Sequence, residues 1–425
     1  MPRRRAGTHD LRGNGRDRRI GFVEAMTEMG NRFALLLVLV SLVGAATGAT
    51  SKTLVVNVPT LSMDVPVELR PQGQTLAGAV LGGTPGAGGD RIILQDCPSL
   101  FFSQSAEKVI RTYCSVLGRN VRSGRFALAA EPSAQARFSL TETDDGLSLS
   151  EQGRPAFIYR HKEQLAPGVP EKYRRATYIH PLFDLRGNAI TDDFPKDHLH
   201  HRGLSWTWAH VGVGGEVHDL WAGEGVRQVF EKWIARETGP VCATIGVKNA
   251  WWTAPRKIMD EWVWIRAFPA NEYGRALDVL LTLKALEPIE LSGRKEKGYS
   301  GFGLRYGPRQ TTIITTPQGK ETADSDLKPL PWADETGNFG GSAGLSGAAI
   351  FQHASNPRFP AGWCLRHYGF IGVSWPGVEV VHLEPGQSLT LRFRVWVHDG
   401  DAREGKVLEA YDLFAQPPSL SISDP

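Results

Sequence analysis

Two long runs in this chain alternate residue types with a period of two, and that period excludes a helix. In LDVLLTLKAL, Leu277, Val279, Leu281, Leu283 and Ala285 share one face. In SLTLRFRVWV, Leu389, Leu391, Phe393, Val395 and Val397 do the same, with Arg392, Arg394 and Trp396 opposite. Successive strand residues point to opposite faces, so each run lays one apolar surface on a core. Alternation of this kind belongs to antiparallel sheets with one buried face. The turns agree, since Asp-Asp-Gly at 144–146 and Gln-Gly at 152–153 separate strand-like runs and are hairpin chemistry. KVLEAYDLF at 406–414 reads as a terminal helix, and SAEKVIRTY at 105–113 as a second short one. The expected fold is all-β: a large antiparallel β-sandwich over residues 131–400, behind a small β-rich module over 50–130. Residues 401–425 are expected to hold the short helix and a disordered tail.

The first 49 residues read as a leader. An apolar run begins at Phe33 behind Arg32 and ends in Ala45-Ala-Thr-Gly-Ala49, the layout of a secretory signal peptide cut near Ala49. The run is short for a bilayer span, which takes ~20 apolar residues. Expected localisation is therefore secreted or periplasmic, with an uncleaved N-terminal membrane anchor as the alternative. The natural start falls at Met1, Met26 or Met29. After cleavage no stable membrane span is expected. Export would place Cys97, Cys114, Cys242 and Cys364 in an oxidising compartment. Their spacing matches no zinc motif; Cys97 and Cys114 either pair or remain buried thiols.

The net charge of +3 comes largely from arginines in the leader, so no nucleic-acid partner is expected. With 41% hydrophobic and 22% charged residues, the chain has the composition of a soluble globular protein. It carries no Gly-rich nucleotide loop, GxSxG elbow, CxxC pair or internal repeat.

Groups that titrate and coordinate crowd between Tyr178 and Trp221, where six of the twelve histidines fall. Asp197-His-Leu-His-His-Arg-Gly203 is the densest part. In an extended conformation His198 and His200 share a face and His201 takes the other. An H-x-H pair needs a third ligand to hold a divalent metal, and His210, His218 or Glu216 are candidates. The run Leu204–His210 puts Trp206, Trp208 and His210 on one face. In MDEWVWIRAF, Asp260, Trp262, Trp264 and Arg266 lie opposite Glu261, Val263 and Ile265. The apolar face there serves the core, which favours Trp262 and Trp264 as a ligand platform. The loop ELSGRKEKGYSGFGLRY adds Tyr299 and Arg305; His353, Arg366 and His382 follow later.

HPLFDLRGNAITDDFPKDHLHHRGLSWTW, VHDLW, GYSGFGLRY and LEPGQSLTLRFRVWVHDG together resemble a family of secreted bacterial proteins known as methane oxygenase PmoA-like, of unknown function. The resemblance covers about residues 130 to 400. The long antiparallel strands and the PGQSLTL turn also resemble the galactose-mutarotase supersandwich. That resemblance implies a carbohydrate ligand and leaves the reaction open.

Three functional readings follow from these residues. The leading one is a secreted carbohydrate-active enzyme of epimerase, hydrolase or lyase type. In it His198, His200 and His201 act as acid or base, because imidazole titrates near neutral pH, and Arg202 holds a substrate oxygen. Substrate would be bound by His180, Asp197, Trp208, His210, Glu216, Asp219, Trp262, Trp264, Tyr299, Arg305, His353 and Arg366. A non-catalytic carbohydrate-binding module is the second reading. The third is a metal-dependent oxidoreductase built on His198 and His200.

Overall fold

The computed structural model describes residues 52–69, 80–85, 91–100, 109–130, 134–254, 256–341 and 344–423. Residues 1–49 fall outside these, and so does the expected leader. Within the compact unit from Thr50 to Pro425, two nine-stranded antiparallel sheets face each other. The first, the long-stranded sheet, runs from Arg227–Thr238 through Ala243–Thr253, Arg256–Ala267, Gly274–Ala285, Ser388–Asp399, Ser346–Gln352, Trp332–Gly337 and Ile313–Thr316 to Gly319–Glu321. The second, the site sheet, runs from Ser325–Asp326 through Gly362–Arg366, Phe370–Ser374, Ser300–Arg305, Leu204–Trp208, Tyr178–Leu182, Arg154–Arg160 and Gly146–Glu151 to Phe138–Thr143. The chain is therefore an all-β sandwich, as the alternation requires.

Leu277, Val279, Leu281, Leu283 and Ala285 point into one core with Leu389, Leu391, Phe393, Val395 and Val397. From the site sheet Leu204, Trp206, Trp208, Phe302, Leu304 and Trp363 meet them. The Phe302 and Phe393 rings stack at 4.3 Å across the interface. The Gln152–Gly153 hairpin closes as expected: Glu151 pairs with Arg154, and both turn residues take positive φ, 48° and 81°. That is the type I′ geometry matched to strand twist.

The opposite face of the long-stranded sheet is covered as well. A seven-stranded sheet, six strands from the N-terminal residues and one from Ser419–Ser423, packs there with the helix Val407–Ala415. This third layer overturns the expectation that Trp262 and Trp264 form a ligand platform. Both are buried, Trp264 packing against Leu100 and Leu280, and Arg266 is sealed beside Glu68 and Pro98. Trp208 is likewise core, its Nε1 donating to the Trp375 carbonyl at 3.1 Å. Period two told the faces apart; it held no information that both faces are covered.

Two further expectations change. Arg111–Leu117 is a strand, so the segment 105–113 does not end as a helix, and its first residues lie outside those described. The expected disordered tail supplies a strand instead: Ser419–Ser423 pairs in register with Thr53–Asn57, from Asn57 with Ser419 to Thr53 with Ser423. Leu420 is buried in that sheet's core. Truncation after Pro418 is expected to remove roughly 2 kcal/mol of apolar burial and to leave Thr53–Asn57 as an open edge. Faster amide exchange at Val55 and Asn57, which face that strand, would report it; unchanged exchange would show that the strand contributes nothing.

Candidate functional site

The segment carrying the histidines is a double turn, and this reverses the expectation of alternate faces. The His198 N–H donates to the Pro195 carbonyl at 3.0 Å and the His201 N–H to the His198 carbonyl at 2.9 Å. A turn folds consecutive side chains together where a strand would separate them. All three imidazoles therefore converge. The His198 and His201 rings stack at 4.7 Å, His200 meets His201 edge-on at 4.6 Å, and His198 and His200 are 5.7 Å apart.

Arg202 holds this turn from beneath. Its Nη1 donates to the Leu199 and His201 carbonyls, both at 2.7 Å, and its Nη2 to the Tyr173 carbonyl. Its Nε lies 3.3 Å from Asp193, and its guanidinium covers the Phe194 ring at 3.5 Å. At 2% exposure it is enclosed, and its donors are spent on the carbonyls of the turn and of Tyr173. Gly203 follows because a Cβ there would strike the Ile179 carbonyl as the chain enters the site sheet.

Aromatic rings surround the cluster. Tyr368 stacks on His198 at 4.7 Å, Phe370 lies 5.0 Å from His201, and Trp221 meets His201 edge-on at 5.7 Å. Trp221 packs at 5.2 Å on Tyr299, whose hydroxyl accepts from Arg294 Nε at 3.0 Å. Arg294 also reaches Asp219 at 2.8 Å. Arg305 donates from Nη2 to both Asp197 oxygens, at 2.8 and 2.9 Å, and lies over the Tyr368 ring at 4.9 Å. Its Nε and Nη1 are buried with no hydrogen-bond partner among the described residues, and so is His201 Nδ1. Buried polar atoms without a partner carry a desolvation cost that the fold itself does not repay.

Burial decides the protonation of these groups. It lowers the His200 pKa to about 4, helped by the charges of His198 and Arg175, and holds His201 well below its ordinary value. His180, whose Nδ1 is 3.0 Å from Thr191 Oγ1, is pushed down to about 3 by burial with Arg160 and Arg202 nearby. Asp193, buried, is raised to about 6 although Arg202 and Tyr178 pull the other way. Partial burial opposes ionisation of Asp197, yet His198 and Arg305 hold it below the usual carboxylate range.

Of the residues expected to form a site, the structure brings together His198, His200, His201, Arg202, Asp197 and Arg305, with Tyr299 and Asp219 joined through Trp221 and Arg294. His180 sits directly behind, in the strand Tyr178–Leu182. The others are elsewhere. His210, Glu216 and His382 belong to a four-stranded sheet, where His382 pairs with Glu290 at 3.6 Å. His353 lines a separate cavity of about 600 Å³ with Arg392 and Phe414. Arg366 is paired with Asp326. Sequence reasoning missed Arg175, Trp221, Tyr368 and Phe370. Tyr368 and Phe370 lie within four residues of Arg366, but their placement depends on a hairpin closing beside the turn.

The loop does not present the expected H-x-H chelate. No three ligand atoms among its histidines and carboxylates come within 4.8 Å of one another among the described residues. Behind the rings lies a cavity of about 10 Å³ lined by Arg175, His200, His201, Trp221 and Phe370, room for one water.

Fold and site together define an all-β sandwich protein with a histidine turn on the outer surface of one sheet. The chain belongs to the family of unknown function DUF6807, whose model matches residues 146–412. That match does not carry the methane-oxygenase-like name, and no curated protein matches the sequence. Solved structures share the general architecture at low similarity. An α-mannosidase from Enterococcus faecalis is 9% identical, with 88% of this chain and 46% of that chain covered, at a TM-score of 0.38. A GH36 α-galactosidase from Geobacillus stearothermophilus is 10% identical over 64% of this chain and 40% of that one, at 0.31. Galactose 1-epimerase from Lactobacillus acidophilus is 10% identical over 72% of this chain and 99% of that one, at 0.26. The chain spans about half the length of the mannosidase. Among the described residues no helix is long and apolar enough to cross a membrane.

Proposed function

We propose that the histidine turn is the active centre of a carbohydrate-active enzyme in which His200 or His201 takes a proton from the sugar and Arg305 holds a substrate oxygen. The observation that carries this reading is the convergence of three imidazoles, two of them held neutral by burial. A base must be deprotonated at working pH, and an imidazole titrating near 4 is free at neutrality. The same value makes it a poor acid there. So low a value also weakens the ring as a base. Burial thus fixes the neutral state, and geometry alone carries the choice of proton abstraction, as in a lyase or an epimerase. Trp221, Tyr299 and Tyr368 offer rings to the C–H face of a sugar, while the two unpaired Arg305 donors, buried against the Tyr368 ring, reach the sugar's oxygens only when that ring moves aside. The leader sequence supports placing this chemistry outside the cytoplasm. The methane-oxygenase-like family name rests on the DHLHHRG motif and its neighbours alone.

A binding module is the second reading, favoured by the size of the cavity, which leaves a sugar only the rim. The double variant His200→Ala/His201→Ala separates the two. Glycan-array binding and turnover of uronate-containing and neutral polysaccharides would be measured for both proteins, with circular dichroism to confirm folding. The expected result is binding retained and turnover down ~10²–10⁴-fold. Binding without turnover by the wild type on every glycan would establish the module, and neither activity would remove the carbohydrate reading.

A further inference from the structure

Three cysteines that are far apart in sequence meet in the layer between the N-terminal sheet and the long-stranded sheet. Cys97 lies in the strand Ile92–Pro98, Cys114 in its neighbour Arg111–Leu117, and Cys242 just before Ala243–Thr253. Their sulfurs all lie within 4.8 Å of one another, and all three residues are 0% exposed. The surroundings fix them. Gln95 accepts from the Val241 and Cys242 N–H groups, both at 2.9 Å, and donates to the Cys242 carbonyl at 3.0 Å. Arg266, also fully buried, donates to Thr244 Oγ1 at 3.1 Å, to Glu68 at 2.7 Å and to the Pro98 carbonyl. Met63, Val241 and Phe268 belong to the same apolar cluster and exclude water.

We propose that Cys97, Cys114 and Cys242 form a three-thiolate site for a soft monovalent cation, Cu(I). Thiolate sulfur selects Cu(I), zinc and iron–sulfur clusters over harder ions. Structural zinc takes four ligands, whereas the converging group here stops at three among the described residues. Three-coordination in a dry enclosure suits Cu(I). Loading releases three protons from three thiols and leaves a site of net charge −2, of which the Arg266 guanidinium, itself shared with Glu68 at 2.7 Å, offsets only part. The ion would tie two strands of the N-terminal sheet to the long-stranded sheet, giving the third layer a covalent-strength pin.

A Cys97–Cys114 disulfide is the competing use of these sulfurs, which lie 2.6 Å apart. The strand register disfavours it. Cys97 pairs with Thr112 and Cys114 with Gln95, so the two cysteines are diagonal neighbours. Diagonal Cα atoms stand ~7–8 Å apart, against the ~4.4–6.8 Å that a disulfide spans. Sulfurs at 2.6 Å nevertheless need only a small shift to bond, so the thiol count decides between the two uses. A disulfide would also leave Cys242 without a role. An ion bound at about 2.3 Å from each sulfur requires the side chains to rotate apart and leaves the strands in place.

The test uses the reduced full chain, Cu(I) and a chromogenic Cu(I) chelator as competitor. One Cu(I) per chain, near-ultraviolet thiolate-to-copper absorption and a raised unfolding temperature are expected. Cys242→Ser and Cys97→Ser should each weaken binding at least about 100-fold, while Cys364→Ser binds as wild type. Should Cys97→Ser fail to fold, Cys242→Ser, at the edge of its strand, carries the comparison. No retained copper, equal retention by Cys242→Ser, or tighter binding of zinc than of Cu(I) would overturn the proposal. So would two thiols in place of four in the denatured, untreated protein with a mapped Cys97–Cys114 bond, if reduction then restores no copper binding.

Discussion

Acidification from pH 7.5 to 4.5 is expected to cost the wild-type protein about 3 kcal/mol more stability than the His180→Asn variant. His180 is neutral in the fold because burial and the charges of Arg160 and Arg202 lower its pKa to about 3. In the unfolded chain the same group titrates near ~6.5. Below pH 6.5 the unfolded state therefore binds a proton that the native state refuses. Native stability falls by about 1.4 kcal/mol per pH unit until the buried group itself titrates. Asparagine keeps a partner for Thr191 and has nothing to protonate. Total stability does not isolate this effect, because buried carboxylates act in the opposite direction. Asp193 is raised to about 6 and Glu335 to about 8, both mainly by burial, so each favours the native state as pH falls. Wild type and variant share them, and the difference between paired urea melts at the two pH values removes them. A difference that stays constant within about 0.5 kcal/mol would show that His180 is not held neutral.

The sandwich was legible because its evidence is local. Leu277 to Ala285 and Leu389 to Val397 each declare one apolar face within a single strand, and the Gln152–Gly153 turn declares its own geometry. The third layer was hidden because burial of Trp262, Trp264 and Arg266 depends on residues such as Glu68 and Leu100, far away in sequence. The tail strand Ser419–Ser423 was hidden for the same reason, since its partner lies near the other end of the chain.

The site was half legible. Asp197 through Arg202 was marked by composition, and the structure makes it the centre. Its conformation was misread because alternation was applied to a segment that turns twice, at Pro195–His198 and His198–His201. Pro195 is a local loop signal, but nothing local shows that the turn continues through His201. Tyr368 comes from the turn between Gly362–Arg366 and Phe370–Ser374, and Arg305 from the end of the neighbouring strand Ser300–Arg305, a neighbourhood that only the fold creates.

Replacing Arg202 with Ala is expected to destabilise the protein by about 3–5 kcal/mol, the range for removing one partner of a buried charge pair, and to scatter the three imidazoles. The guanidinium satisfies the Leu199, His201 and Tyr173 carbonyls and faces Asp193. Its loss leaves three carbonyls without this donor and Asp193 with the Tyr178 hydroxyl alone, at 2.8 Å, and the carbonyls it holds include those of the histidine turn itself. Arg202→Lys should recover only part of the loss, because one ammonium does not reproduce a planar fork that reaches carbonyls in two directions. The turn reports its own state through the ring contact of His198 with His201. In the wild type, the His200 and His201 imidazole resonances should remain those of neutral rings from pH 8 to 5. In Arg202→Ala, studied under conditions where it stays folded, both rings should gain solvent and titrate nearer to their ordinary value. Retention of the wild-type titration in a folded Arg202→Ala protein would show that the aromatic shell of Trp221, Tyr368 and Phe370 holds the cluster without the guanidinium.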